Sequence, residues 1–218
     1  ELVELVRTKK DSSIAVNAGK IHNGNTTLQT GHDFVWRQID REDDILDDIL
    51  REIVETQKHH IPIPQILVPM HKTSIGTRNI NTAVQELVNP NGEKVKGTSF
   101  RIGDRIIYTS NDYNLSIMNG DLGIIAGYDA QQKKILIHLD TSSASDGMRG
   151  IRSIPDSCMS NMLLAYAITV HKSQGSEFPT VLIPLHKSHT IMLQRNLIYT
   201  AITRAKEKVV LVGSSGVV

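Results

Sequence analysis

The sequence predicts an α/β fold in which a mainly parallel sheet flanked by helices is interrupted by a small antiparallel β-barrel. Three observations predict this fold. The near-continuous apolar runs LLAYAITV, TVLIPL and VVLVGS are typical of strands buried on both faces. One-sided helical patterns alternate with such strands, as in a parallel α/β sheet. Between residues 99 and 154 the chain changes to short β-rich runs with Asn-Gly and Gly-Asp turns, which indicates an antiparallel insertion.

The N-terminal part predicts three helices and one strand. Residues 11–22 carry apolar side chains at helical spacing after an Asp or Ser cap, which predicts a short helix. Residues 40–57 carry an i, i+3, i+4 apolar stripe, and the acidic run REDDILDD within it is interpreted as a solvated face, not as a metal site. QILVPM predicts a buried strand, and residues 79–88 predict a helix that NPNG ends.

The β-rich runs GDRIIYT, GDLGIIAGY and KKILIHL define the predicted insertion. We expect it to occupy residues 98–155 and to divide a larger domain into residues 1–97 and 156–218. SSASDG, near residues 141–147, has the composition of a flexible tip. Between TVLIPL and VVLVGS, a helical pattern covers residues 193–206.

Composition excludes few functions. With 24 Lys and Arg against 23 Asp and Glu, the net charge of +1 gives no general attraction for a polyanion, so any contact with nucleic acid must be local. The single cysteine, Cys158, cannot form an intramolecular disulfide, and the chain shows no secretory leader or long apolar run. We therefore expect a cytoplasmic protein without a membrane span. The missing initial Met is expected of a domain cut from a longer chain.

One polar turn follows the apolar run AYAITV. In HKSQGSEF, Gly175 lets the backbone approach a ligand closely, Ser176 offers a hydroxyl, and Glu177 offers an acceptor for a ribose hydroxyl. Ligands gather at the ends of strands in such sheets. By these residues alone, an ordinary structural turn is an equal alternative.

A second segment, RNLIYTAITRAKEKVVLVG, places Arg195, Tyr199, Thr203 and Arg204 on a predicted helix before a buried strand. The guanidinium of Arg204 suits recognition of phosphate and of charge that develops during phosphoryl transfer. The alternative is a surface arginine paired with Glu207 at i, i+3.

TVHKSQGSEF resembles helicase motif V, and YTAITRAKEKVVLVG resembles motif VI of superfamily 1 helicases, in particular of the RecD, or exodeoxyribonuclease V alpha-subunit, branch. FRIGDRIIYTSNDYNLSIMNGDLGII is similar to the SH3-like barrel insertion of that branch, QILVPMHKTSIGTRNINTAVQELVNP to the strand and helix before it, and LVRTKKDSSIAVNAGKIHNG to the segment with motif IV. The likeness is collinear over nearly the whole chain. It implies a C-terminal half with a RecA-like motor domain.

The resemblance implies roles at a nucleotide. Arg204 corresponds to the motif VI arginine finger, Arg7 to the motif IV arginine that also contacts the γ-phosphate, and Glu177, beside Gly175, to the acid that bonds the ribose. ATP and Mg²⁺ are expected to be held mainly by the N-terminal RecA-like domain of the same protein. Val6 and Thr8 depart from the aromatic and Gln usual around the motif IV arginine, which affects the placement of Arg7.

The resemblance also implies contacts with single-stranded DNA. Thr169 and His171 correspond to positions that touch the DNA backbone, and Gly175 and Ser176 would link the nucleotide site to the DNA. Further candidates for contact lie in the barrel, where such aromatics alternatively fill the core: Tyr108, Tyr113 and Asn114.

No G-x-x-x-x-G-K-[ST] loop occurs, since Gly19-Lys20 is followed by Ile21, and none of the apolar runs LLAYAITV, TVLIPL and VVLVGS is followed by an Asp. His59 and His60 have no partner at zinc-ligand spacing, so we predict no metal ligands. We expect the intact protein to be an ATP-dependent 5′ to 3′ DNA helicase in recombination and repair, with RecB- and RecC-like subunits as candidate partners. The alternatives are a non-catalytic DNA-binding or subunit-docking module and a relaxase-linked or Pif-like helicase. This segment alone is expected to be inactive.

Overall fold

The computed structural model describes residues 12–25, 27–70, 74–140, 150–187 and 195–214. The chain forms two compact units, one within Glu1–Ile80 and Ala167–Val218 and the other within Asn81–Tyr166. Both divisions predicted from the sequence, after residue 97 and before residue 156, fall inside the second unit. The insertion therefore takes in more of the chain on each side than the β-rich runs alone indicate.

In chain order the described helices and strands are α1 (Ser13–His22), β1 (Phe34–Gln38), α2 (Glu42–Lys58), β2 (Gln65–Val68), α3 (Thr77–Val88), β3 (Arg105–Tyr108), β4 (Leu122–Asp129), β5 (Lys134–Leu139), β6 (Ile151–Pro155), β7 (Met162–Leu164), β8 (Ala167–Thr169), β9 (Phe178–Leu185), α4 (Arg195–Ile202) and β10 (Ala205–Gly213). Two short 3-10 helices lie at Asp156–Asn161 and His171–Ser173.

The first unit is built on a five-stranded sheet in the order β1-β10-β9-β2-β8, and all neighbouring strands in it are parallel. In β10, four consecutive residues from Val209 to Val212 are completely buried. Successive side chains of a strand point to opposite faces, so this burial means that both faces of the sheet are covered. The predicted parallel α/β sheet is confirmed, and β1, which carries the sequence FVWRQ, adds an edge strand that the apolar runs did not predict.

The three predicted N-terminal helices are present with slightly shifted ends. In α2, Ile45, Ile49 and Ile53 are completely buried, as their four-residue spacing predicts, and the helix packs against β10. Helix α1 packs against α4. None of the helices in the described ranges is both long and apolar enough to cross a membrane.

The acidic run at the start of α2 is only partly a solvated face. Asp48, its last residue, is buried and accepts a hydrogen bond from Arg37 of β1 at 2.9 Å. The same guanidinium bonds Glu52, one turn further along α2, at 2.5 Å. The pKa of Arg37 is raised, because its bonds to these two carboxylates outweigh the burial that opposes its charge. The run thus fixes the helix to the edge strand, which corrects the interpretation as a wholly solvated face.

The second unit contains a five-stranded antiparallel sheet in the order β6-β5-β4-β3-β7. The predicted Asn-Gly turn lies between β3 and β4, where Gly120 has a φ of +100° that favours glycine. The inward side chains pack into one core, which contains Val95, Phe100, Ile106, Tyr108, Ile117, Ile125, Ile135, Ile137, Leu139, Ile154 and Met162. The antiparallel insertion is confirmed.

A buried carboxylate explains where the second unit begins and ends. Asp104 is completely buried and accepts hydrogen bonds from Gln85 of α3, from Asn89 and from the Tyr166 hydroxyl, at 2.5, 2.8 and 3.0 Å. The backbone N–H of Arg101 donates to it at 2.7 Å. Burial and the charge of Asp104 raise the pKa of Tyr166. Because these donors come from both ends of the insertion, the hydrogen bonds to Asp104 draw both ends into the unit.

The apolar run LLAYAITV forms two strands instead of the single strand predicted. Met162–Leu164 pairs with β3 in the antiparallel sheet, whereas Ala167–Thr169 pairs with β2 in the parallel sheet. Between them, Tyr166 turns its hydroxyl to Asp104. The run crosses from one sheet to the other: Ala167 and Ile168 are buried in the parallel sheet, whereas Leu163 in the antiparallel sheet is 47% exposed. The predicted tip at residues 141–147 lies outside the described residues.

Candidate functional site

The polar turn between β8 and β9 is a compact loop of residues 170–177. Thr169 is buried at the end of β8, and its hydroxyl accepts a hydrogen bond from the backbone N–H of Lys172 at 3.4 Å. The buried hydroxyl of Ser173 donates to the carbonyl of Val170 at 2.7 Å. His171 is exposed at the start of the one-turn 3-10 helix. These bonds hold the backbone of the loop while leaving the His171 ring accessible.

Gly175 allows the chain to turn back toward β9. Its φ of +86° lies in the left-handed region that residues with a Cβ rarely adopt. A Cβ at this position would meet no described atom within 4 Å. Backbone conformation, and not crowding, therefore requires glycine here, and the open space leaves room for a ligand near the backbone.

Arg204 lies in the turn between α4 and β10. The helix ends at Ile202, so Thr203 and Arg204 are not helical, which corrects the prediction that placed both on the helix. The Arg204 carbonyl accepts from the N–H of Phe178 at 2.9 Å. The start of β10 is thereby joined to the start of β9, directly after Glu177.

The guanidinium of Arg204 makes only long contacts with backbone carbonyls. Its Nε lies 3.4 Å from the Thr200 carbonyl oxygen, and its Nη1 lies 3.4 Å from that of Ser176. Within the described ranges it forms no ion pair, so the alternative pair with Glu207 is not formed. Long bonds to neutral acceptors are weak, which leaves this half-buried cation able to turn to an anion.

Glu177 is placed beside Arg204 by the pairing of β9 with β10. Its side chain is 29% exposed, and its Oε2 lies 3.3 Å from the Nζ of Lys206. Lys206 was not identified from the sequence. The two residues are far apart in the chain, and only the parallel register of Ala205 with Phe178 brings them together. No local sequence pattern signals such a pair.

Two edges of the sheet carry the predicted residues. Thr169 and His171 stand at the carboxyl end of β8, whereas Glu177 and Arg204 directly precede the amino ends of β9 and β10. Because the three strands are parallel, loop 170–177 runs from one edge of the sheet to the other. The predicted DNA contacts and the predicted nucleotide contacts thus lie at opposite ends of one short loop.

Lys172 is a further cationic residue of this loop. Burial lowers the pKa of its half-buried ammonium group. No described residue accepts a hydrogen bond from that group. The sequence signal was present in HKSQG, but the sequence prediction did not assign it a role.

The candidates in the second unit differ in exposure. Tyr108 is completely buried in the antiparallel core, which supports the alternative that it fills the core and argues against contact with DNA. Burial raises the pKa of its hydroxyl. Asn114 and Tyr113 are exposed in a tight turn, where the carboxylate of Asp112 accepts the N–H of Asn114 at 3.1 Å. Arg7, the remaining candidate, lies outside the described residues.

Two family models match the chain. Residues 164–212 match the UvrD-like helicase C-terminal domain, and residues 80–139 match the ATP-dependent RecD-like DNA helicase SH3 domain. The first match contains the loop and Arg204, and the second contains strands β3 to β5. The chain is therefore a helicase C-terminal region that carries an SH3 domain.

Two relatives indicate which type of helicase the chain resembles. The chain is 37% identical over 153 residues to the ATP-dependent RecD2 DNA helicase of Deinococcus radiodurans, which is 69% of this chain and 20% of that protein. It is 31% identical over 169 residues to the RecBCD enzyme subunit RecD of Mycolicibacterium smegmatis, which is 75% of this chain and 27% of that one. The chain is a region of the RecD type, and it spans a minor part of the length of these relatives.

A solved structure supports the fold. The crystal structure of Bacteroides Pif1 bound to single-stranded DNA superposes with a TM-score of 0.54 at 17% identity, over 95% of this chain and 50% of that one. At this identity the likeness shows the fold alone. The RecA-like helicase architecture predicted from the motifs is confirmed.

Proposed function

We propose that the full-length protein containing this chain is an ATP-dependent DNA helicase that moves 5′ to 3′ in recombination and repair. This region would supply the arginine that acts on the nucleotide and side chains that contact single-stranded DNA. The observation that carries the proposal is the position of the Arg204 guanidinium, whose Nη1 lies 3.4 Å from the carbonyl oxygen of Ser176, the residue before Glu177. The Arg204 guanidinium, which can bind phosphate, and the Glu177 carboxylate, which can accept a hydrogen bond from a hydroxyl, then belong to residues at the amino ends of β10 and β9.

The proposed role of Arg204 is to bond the γ-phosphate of ATP. Charge spreads over the phosphoryl oxygens in the transition state, and a guanidinium stabilises it without further chemistry. The bonds that hold Arg204 to the Ser176 and Thr200 carbonyls are long, so exchanging them for charge-assisted bonds to phosphate is favourable. Arg7 is proposed as a second γ-phosphate contact.

The remaining nucleotide contacts are divided between two domains. Glu177 is proposed to accept a hydrogen bond from the ribose. ATP and Mg²⁺ would be held mainly by an N-terminal RecA-like domain, and no residue of this chain is assigned to the metal. Nucleotide binding would draw the two domains together and bring Arg204 to the phosphate.

Single-stranded DNA is proposed to bind at the other end of the loop. Thr169 and His171 would contact the DNA backbone. Ser176, near the other end of the loop, would connect these residues to the proposed nucleotide contacts Glu177 and Arg204. Lys172, half-buried in the same loop, would add a cationic contact with the same polyanion. Asn114, exposed in the second unit, is proposed as a further contact.

The cellular setting is proposed from relatives. One relative is named as a subunit of the RecBCD enzyme, so RecB- and RecC-like subunits are candidate partners. A cytoplasmic location fits a chain with a single cysteine.

Replacing Arg204 with Ala in the full-length protein tests the proposal. We expect ATP binding to be retained, while DNA-stimulated hydrolysis falls by about a thousandfold or more, as for other arginine fingers. Binding is measured with a fluorescent ATP analogue and hydrolysis by phosphate release with and without single-stranded DNA.

Arg41→Ala is the matched control. Arg41 is an exposed arginine of the same unit, 75% exposed and 3.8 Å from Asp44. We expect its hydrolysis rate to equal that of the parent protein. Unchanged turnover in Arg204→Ala would refute the arginine-finger role, and loss of ATP binding in that variant would assign the arginine to the ground state instead.

A further inference from the structure

The ion pair between Lys206 and Glu177 joins the amino ends of β9 and β10, where the nucleotide is proposed to bind. The Nζ of Lys206 lies 3.3 Å from the Oε2 of Glu177. The parallel register of Ala205 with Phe178 and the hydrogen bond from the Phe178 N–H to the Arg204 carbonyl fix the two backbones beside each other. The sheet therefore brings the two residues beside each other.

The exposure of the pair argues against a mainly structural role. The Lys206 side chain is 58% exposed and that of Glu177 is 29% exposed. Ion pairs in contact with water contribute little to the free energy of folding. The pair does, however, restrict the carboxylate of Glu177, because one of its oxygens is held by a lysine that belongs to a sheet strand.

The pair also balances charge where a triphosphate is expected. An unpaired Glu177 carboxylate would repel the phosphates that Arg204 is proposed to bind. A neighbouring ammonium group offsets that repulsion, and a carboxylate only accepts hydrogen bonds. Lys206 thus both restricts the orientation of the Glu177 carboxylate and offsets its charge, and both effects favour its use as a fixed acceptor for a sugar hydroxyl.

We infer that Lys206 is a positioning residue that holds Glu177 as the ribose acceptor and thereby sets the discrimination of the site between ribose and sugars without hydroxyls. This inference rests on the proposed ribose role of Glu177. Lys206 itself need not touch the nucleotide. Its effect is expressed through the orientation of the carboxylate.

The test is the sugar discrimination of Lys206→Met in the full-length protein, given as the ratio of KM for 2′,3′-dideoxy-ATP to KM for ATP in DNA-stimulated hydrolysis. A hydrogen bond to a charged group corresponds to about tenfold in affinity. We expect the ratio to fall by about that factor, because KM for ATP rises while KM for the dideoxy analogue does not. We expect kcat to remain within about twofold, and Lys206→Arg to keep the parent ratio.

Two further variants make the result decisive. Lys58→Met removes a comparable surface pair, with Glu55 at 2.7 Å on α2, and should leave the ratio unchanged. Glu177→Ala should abolish the discrimination. If Glu177→Ala abolishes it and Lys206→Met retains it, the role of Lys206 is refuted and that of Glu177 stands. If Glu177→Ala retains it, the ribose role and the inference fall together, whereas the role of Arg204 is judged separately.

Discussion

At the scale of single residues, Asp33 shows how one carboxylate joins a helix to the sheet. It is buried just before β1 and accepts the hydroxyl of Ser12 at 2.5 Å and the N–H of Ser13 at 3.2 Å. Ser12 precedes α1 but makes no capping bond with its own side chain. Asp33, distant in the sequence, takes over the role of a cap.

Replacing Asp33 with Ala should lower the stability of the chain by about 1 kcal/mol, the usual cost of a lost helix cap. Burial opposes ionisation of Asp33, but the bonds to Ser12 and to backbone, with nearby His32, lower its pKa below the ordinary value. A group whose pKa is lowered by folding stabilises the fold above its unfolded pKa of about 3.9, and this contribution is lost as the pH falls through the lowered value.

Thermal unfolding followed between pH 7 and pH 3 measures this effect. The difference in Tm between the parent and Asp33→Ala should narrow below about pH 4. Asp47→Ala, at an exposed carboxylate of α2, is the control and should show little difference at either pH. A difference that stays constant down to pH 3 would contradict the assigned bonds.

The sequence could nominate candidate site residues, but it could not predict their contacts. TVHKSQGSEF and TRAKEK made Glu177 and Arg204 candidates because these segments resemble helicase motifs V and VI. Lys206 was missed because its partner is brought close only by the register of β9 and β10. Tyr108 was named as a candidate because the sequence alone does not tell on which face of the antiparallel sheet the ring lies.

At the scale of elements, the carboxyl ends of β9 and β10 approach so closely that a glycine is required. A Cβ at Gly213 would lie 1.7 Å from the carbonyl oxygen of Leu185. The Gly213 carbonyl also accepts from the N–H of Ile39 at 2.9 Å, so the backbone is held from both sides. The N–H of Ser214, the next residue, donates to the Leu185 carbonyl at 3.2 Å, so the ends of β9 and β10 cannot separate locally without losing that bond.

Gly213→Ala should therefore destabilise the first unit by about 3 kcal/mol, as overpacking does in a rigid site. Gly19→Ala is the opposite case, because Gly19 lies within α1 and a Cβ there meets no described atom within 4 Å. That variant should stabilise the chain by about 0.5 kcal/mol or slightly more. Chemical denaturation of the two variants measures the contrast, and equal stabilities would contradict the packing of β9 on β10.

The sequence predicted the elements that have a clear hydrophobic periodicity. It did not predict features that depend on contacts between distant segments or on a change from one sheet to the other. The stripe of α2 and the apolar runs of β9 and β10 gave their positions directly. The run LLAYAITV was expected to be one strand, because its apolar residues do not reveal the change of sheet at Tyr166. Asp48 was expected to be solvated, since the arginine that pairs with it lies on β1, a strand with no apolar run.

At the scale of the whole molecule, the proposed DNA contacts and the proposed nucleotide contacts lie at opposite ends of the strands of one parallel sheet. Loop 170–177 begins beside Thr169 at the carboxyl end of β8 and ends beside Glu177 at the amino end of β9. A change at one end of so short a loop is expected to reach the other end, because the Ser173 hydrogen bond and the φ of Gly175 restrain the path between them. The loop would thus be a physical link between the proposed nucleotide contacts and the proposed DNA contacts.

The measurement that tests this link most directly is the affinity of the full-length protein for single-stranded DNA, with and without a non-hydrolysable ATP analogue, in the parent and in Arg204→Ala. Coupling between two ligands appears as a change in the Kd of one when the other binds, typically about 5-fold to 150-fold. We expect the analogue to change the Kd for DNA in the parent and to leave it nearly unchanged in Arg204→Ala, while the two proteins bind DNA equally without nucleotide. A full nucleotide-dependent change in Kd in Arg204→Ala would contradict the account, because the signal would then reach the DNA without this arginine.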